Sequence, residues 1–139
     1  MSVVMRYTAE QVAEWKSRAP EPLELDLPGW TRSERNGTED RLLPNERLVS
    51  FEQGERVVRF TRYWDYPLTP GHPMVTASKR AVQIGDRQLD VHTTSMFEGF
   101  PQEVQVLFVK GKGFTARFVF QGCPPALVDE LCAGIEFRP

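Results

Sequence analysis

"EVQVLFVKGKGFTARFVFQ", from Glu103 to Gln121, decides the architecture of the chain. Two runs of strand-forming residues flank a glycine-bearing turn at Gly111-Lys112. In the second run Phe114, Ala116, Phe118 and Phe120 alternate with Thr115, Arg117 and Gln121. A period of two puts the first set on one side of an extended chain and the second set on the other. Two such runs joined by a short turn pair as an antiparallel hairpin. The product is a sheet with a phenylalanine-rich face that needs cover.

The cover is expected from the segment that follows. Pro124-Pro125 sits where proline is tolerated at a helix start. Leu127, Val128, Leu131, Cys132 and Ile135 then form an apolar stripe, with Asp129 and Glu130 outside it. Gly134 is placed to end the helix.

Two more hairpins precede this one. "RLVSFE" and "RVVRFTRYW" flank Gln53-Gly54, and "ASKRAVQI" and "RQLDVHTTSMF" flank Gly85-Asp86. Nearer the N-terminus, Thr8 and Gln11 have the spacing of a capping box, and Val12, Trp15 and Ala19 share a helical face. Pro20 and Pro22 stop that helix. In "PLELDLPGW" Leu23, Leu25 and Leu27 alternate with Glu24 and Asp26, which reads as a short strand closed by a Pro28-Gly29 turn. The polar stretch from Thr31 to Arg47 reads as an exposed loop with a short extended piece at Leu42-Leu43.

These elements predict one α+β domain over residues 1–139. It is a mostly antiparallel sheet of about six strands with an N-terminal and a C-terminal helix packed on it, a two- or three-layer sandwich. The 139 residues suit one core. Apolar residues make up 40% and charged residues 26%, which excludes a disordered tail. A net charge of −2 lacks the footprint of a nucleic-acid binder. No run approaches the roughly 18–20 apolar residues of a membrane span, and "MSVVMRYTAEQ" has no signal-peptide pattern. The expected location is therefore cytoplasmic, with Cys123 and Cys132 reduced.

"LELDLPGW" resembles the opening of PsbP-like and DcrB-like domains, and "FTARFVFQGCPPALVDELCAGIEF" resembles their closing. The matching stretches cover roughly a quarter of the chain and are structural motifs. The resemblance implies an α/β/α sandwich and a binding role, as in complex subunits, import factors and adaptors that hold hydrophobic segments before secretion. The extra capped helix and the missing export signal depart from that pattern, which sets a periplasmic or lumenal role aside. No functional motif of the superfamily is matched, so no functional residue carries over.

No nucleophile elbow, phosphate loop or dinucleotide fingerprint is present. The C-x8-C spacing of the cysteines fits no zinc pattern. No catalytic residue, metal or cofactor is assigned. Cys123, just before a helix start, is a candidate for a lowered pKa, though a small capping-region residue is the plainer reading. The richest stretch is "TRYWDYPLTPGHPM", Thr61 to Met74. Aromatic residues and arginine suit an interface, and prolines lower the cost of ordering a loop on binding. The candidate binding residues are Arg62, Tyr63, Trp64, Tyr66 and His72, with a second rim at Phe97 and Phe100. The expected function is a non-catalytic binding or adaptor domain holding a protein or peptide on an aromatic sheet face. The alternatives are a small hydrolase or isomerase using His72 or His92 with Asp65, or a small-ligand pocket between sheet and helix.

Overall fold

The computed structural model describes residues 8–17, 23–36, 46–64, 75–95, 103–111 and 113–137. In chain order the elements are α1 (Ala9–Ser17), β1 (Leu23–Leu25), β2 (Thr31–Asn36), β3 (Glu46–Gln53), β4 (Arg56–Trp64), β5 (Val75–Ile84), β6 (Arg87–Ser95), β7 (Val104–Gly111), β8 (Phe114–Gln121), α2 (Pro125–Ala133) and β9 (Ile135–Phe137). The described residues thus form nine strands, not about six.

Seven strands build one antiparallel sheet in the order β2-β3-β4-β8-β7-β6-β5. The three hairpins are its units: β3–β4, β5–β6 and β7–β8. The third lies at the centre, because β8 pairs with β4 on one side and β7 with β6 on the other. Its turn sits one residue later than the sequence suggests. Gly111 pairs with Phe114 and so belongs to the strand, while Gly113 takes the left-handed φ of 76°. The Phe114 ring lies where a Cβ on Gly111 would be, which leaves room there only for glycine.

The undercount has two sources. The polarity of "TRSERN" suggests a loop, yet it pairs with β3 along its whole length, from Thr31↔Glu52 to Asn36↔Arg47. An edge strand needs no apolar alternation, and charge there blocks further pairing. The other source is β9, which pairs only with β1 in a separate two-stranded ribbon. The Pro28-Gly29 turn follows β1 as expected, with the Trp30 N–H donating to the Leu27 carbonyl at 3.1 Å.

Cross-strand register sets the core. One row runs Val91–Leu107–Phe118–Phe60–Val49 across five strands. The row beside it contains Gln105, Phe120, Val58 and Phe51. Each of these apolar residues is no more than 2% exposed. Phe118 stacks on Phe60 with centroids 4.7 Å apart. Burying one such side chain contributes about 1.5–3 kcal/mol.

The chain itself covers this face, using Val128, Leu131 and Cys132 from α2 and Leu25, Leu27 and Ile135 from around the ribbon. The Val128 N–H donates to the Pro124 carbonyl and closes the first turn of α2. Gly134 ends the helix with φ −86°, its N–H donating to the Leu131 carbonyl. At the other end of the chain, α1 has the expected capping box. The Gln11 N–H donates to Thr8 Oγ1 at 3.1 Å, and the Thr8 N–H donates to Gln11 Oε1 at 2.9 Å. The expected extended piece at Leu42-Leu43 lies outside the described residues.

Candidate functional site

Strand alternation divides the candidate residues between two faces. Arg62 and Trp64 point to the helix-covered face, where both are buried. The Arg62 guanidinium lies 4.8 Å from the centroid of the Trp64 ring. Trp64 also meets Phe114 edge-on at 6.1 Å and belongs to the core cluster. Tyr63 is half-buried on the reverse face, between Glu46 on β3 and Thr115 on β8. Tyr66, His72, Phe97 and Phe100 lie outside the described residues, and so does Asp65. The proposed pairing of a histidine with Asp65 is therefore described only at His92.

His92 lies on the reverse face with Asp90 and Thr94, as the alternation predicts. It meets Phe108 edge-on at 6.4 Å. That face has an apolar cluster of its own, formed by Val104, Val106 and Val119, with Phe108 packed against it. One row there reads Lys79–His92–Val106–Val119–Arg59. Its centre is buried, whereas Phe108, His92 and Tyr63 remain half-exposed and Arg59 and Lys110 exposed. A basic and aromatic margin thus surrounds a closed apolar centre.

Neither thiol has the environment of a nucleophile. Cys123 is buried, and its Sγ–H points to the Gln121 carbonyl at 3.5 Å. Burial pushes its pKa up against a smaller opposing pull from Arg56, so the structure favours the plainer reading of Cys123 as a small packed residue over a lowered pKa. Cys132 is pushed up to about 12, mainly by burial and then by Asp129. Among the described residues no three His, Cys, Asp or Glu side chains are grouped to hold a metal ion.

Two polar clusters on the helix-covered face escaped the sequence reading. Arg47 has a side chain only 8% exposed, yet its Nε reaches Glu34 at 2.7 Å and its Nη1 reaches Glu24 at 2.9 Å. Glu34 also receives Arg32 at 2.8 Å. Hydrogen bonding from Arg47, opposed by partial burial, holds the Glu34 carboxyl below the usual carboxylate range. In the second cluster Gln105 Nε2 donates to the Cys123 carbonyl at 2.9 Å, and Arg80 Nη1 donates to Gln105 Oε1 at 2.7 Å. Arg80 also reaches Asp129 Oδ1 at 2.8 Å and the Pro125 carbonyl at 3.2 Å. Both clusters left a trace in the sequence. Arg47 shares a strand face with Val49 and Phe51, and Gln105 shares one with Leu107 and Val109.

No family model, no curated protein and no solved structure matches the chain. No described helix is long and apolar enough to cross a membrane.

Proposed function

We propose that the chain is a non-catalytic, cofactor-free binding or adaptor domain of the cytoplasm that holds a protein or peptide partner. The resemblance to PsbP-like and DcrB-like domains belongs to this reading. So does a layered arrangement in which α1 as well as α2 lies on the sheet. One observation carries the reading. The phenylalanine-rich face is spent on the chain's own α2 and β1–β9 ribbon, whereas the reverse face keeps Phe108, Tyr63 and His92 half-exposed around its apolar centre. Half-exposed aromatic rings beside arginine and lysine suit an interface margin.

The partner surface is therefore assigned to the reverse face, and Trp64 to the core. The test compares wild type with the Tyr63→Ser/Phe108→Ser double variant in affinity capture from native lysate. Captured proteins are then titrated against both forms. A partner that binds the variant at least tenfold more weakly, about 1.4 kcal/mol, while the urea midpoint is unchanged supports the assignment. Partners that bind both forms equally refute it.

A further inference from the structure

The sheet ends at β5, whose outer side pairs with no other described strand. Ile84 and Arg87 flank the two-residue turn Gly85-Asp86 and are register partners, so they exchange both backbone hydrogen bonds. Such exchanges recur at every second residue of an antiparallel pair, here at Val82 with Leu89 and at Arg80 with Val91. The N–H and C=O groups of Lys79, Ala81 and Gln83 therefore face away from β6. Among the described residues no backbone hydrogen bond reaches them from another element. Their side chains share the reverse face with His92, and all three are exposed.

The two edges of the sheet differ in how they are guarded. β2 carries Arg32, Glu34 and Arg35 among its six residues, and charge of that density discourages an added strand. Residues 78–84 of β5 hold only Lys79 and Arg80. Arg80 is drawn inward: its Nε and Nη2 reach Asp129 Oδ1 at 3.0 and 2.8 Å, and its Nη1 reaches Gln105 at 2.7 Å. The register shift between Thr76 and Ser78 falls before this stretch, which pairs with β6 without interruption.

We propose that the open edge of β5 pairs antiparallel with the same edge of a second copy of this chain, about a two-fold axis at Ala81. This register sets Lys79 opposite Gln83 of the second copy and Arg80 opposite its Val82. Residues 78–84 then pair in full and exchange about six backbone hydrogen bonds. An axis at Lys79 or Arg80 would set two lysines or two arginines face to face, which destabilises a strand pair. An axis nearer the turn would shorten the overlap. The chosen register is thus self-complementary, as an isologous interface requires. Its axis stands perpendicular to the sheet, so both α2 helices lie on one side of a continuous sheet and both reverse faces on the other. The added contacts are short and mostly backbone, which places the pair among weak, reversible dimers. The pairing is independent of the partner surface assigned above.

Sedimentation velocity of the full chain tests it. The expected result is a reversible monomer–dimer equilibrium with a dissociation constant of about 100 µM, followed from about 10 µM to about 2 mM. Ala81→Lys and Ala81→Glu each set like charges across the axis and should each weaken the dimer at least roughly tenfold. An equimolar mixture of the two variants should restore it, which only a register with Ala81 facing Ala81 allows. Ala81 is exposed, so both variants are expected to fold, and circular dichroism checks this directly. A wild-type chain that stays monomeric over this range would overturn the proposal and leave the edge to a peptide strand. A dimer that both variants keep, or folded variants whose mixture stays monomeric, would overturn it equally.

Discussion

Phe118→Ala tests the core most directly. Phe118 is fully buried in the middle strand of the sheet. Its register partners are Leu107 and Phe60, and its ring stacks on Phe60 at 4.7 Å and lies near Phe120 at 6.3 Å. Truncation removes the ring's transfer energy and leaves a cavity that the surrounding sheet cannot close, which costs about 3–5 kcal/mol. The lost stacking, about 0.5–1.5 kcal/mol, places the expected value in the upper half of that range. A chain of this length has a total stability of roughly 7–20 kcal/mol, so the variant should remain folded but fail early in urea. Equilibrium urea unfolding, followed by tryptophan fluorescence, gives the loss directly if the m-value is unchanged. A cycle of Phe118→Leu with Phe60→Leu isolates the stack and should return a coupling of about 0.5–1.5 kcal/mol. A loss below about 1.5 kcal/mol for Phe118→Ala would refute the argument, since a fully enclosed ring cannot be removed so cheaply. It would mean that α2 and the ribbon do not close over this face.

Glu34→Gln should cost about 1.5 kcal/mol near neutral pH, the low end for a hydrogen bond to a charged group, because Glu34 is partly solvated. The folded state keeps Glu34 deprotonated further down the pH scale than the unfolded chain does, so its contribution is complete above the ordinary carboxylate range and is lost as pH falls through the lower folded value. Urea titrations of both forms across acid pH should converge, and a gap that persists at the acid end would contradict this. Both thiols are buried with raised pKa values, so neither should react with an aromatic disulfide reagent in the native protein at mildly alkaline pH, and both should react in urea. Rapid labelling of native Cys123 would show that its shielding is wrong.

Much of the fold was legible because hairpins are local. Each pairs residues a few positions apart, and alternation assigns their faces without knowledge of the rest. Alternation puts Phe114, Phe118 and Phe120 on one face, and the helical stripe separately marks Val128, Leu131 and Cys132 as their cover. Long-range pairing leaves no such mark. Nothing in "LEL" names "IEF" as its partner, yet Leu23↔Phe137 and Leu25↔Ile135 join opposite ends of the chain. An edge strand is illegible for a different reason. Charge protects it from further pairing, and charge without apolar residues is also the signature of a loop. The site was harder still. The aromatic content of "TRYW" was visible, but its function depends on which face each residue meets, and the alternation sends Trp64 and Tyr63 opposite ways.

The polar residues that interrupt the apolar rows have a common position. Arg47 ties the sheet to Glu24 on β1, while Gln105 and Arg80 tie it to Cys123, Pro125 and Asp129 at the start of α2. Each stands where a covering element meets the sheet. Apolar contact draws those elements on but is non-directional, so by itself it leaves a helix or ribbon able to slide over a field of phenylalanines and valines. A hydrogen bond fixes both distance and angle. A buried guanidinium or carboxamide also penalises every placement that leaves it unpaired. Two pinning points, one for the ribbon and one for the helix, therefore select a single docking of the covers on an otherwise uniform surface.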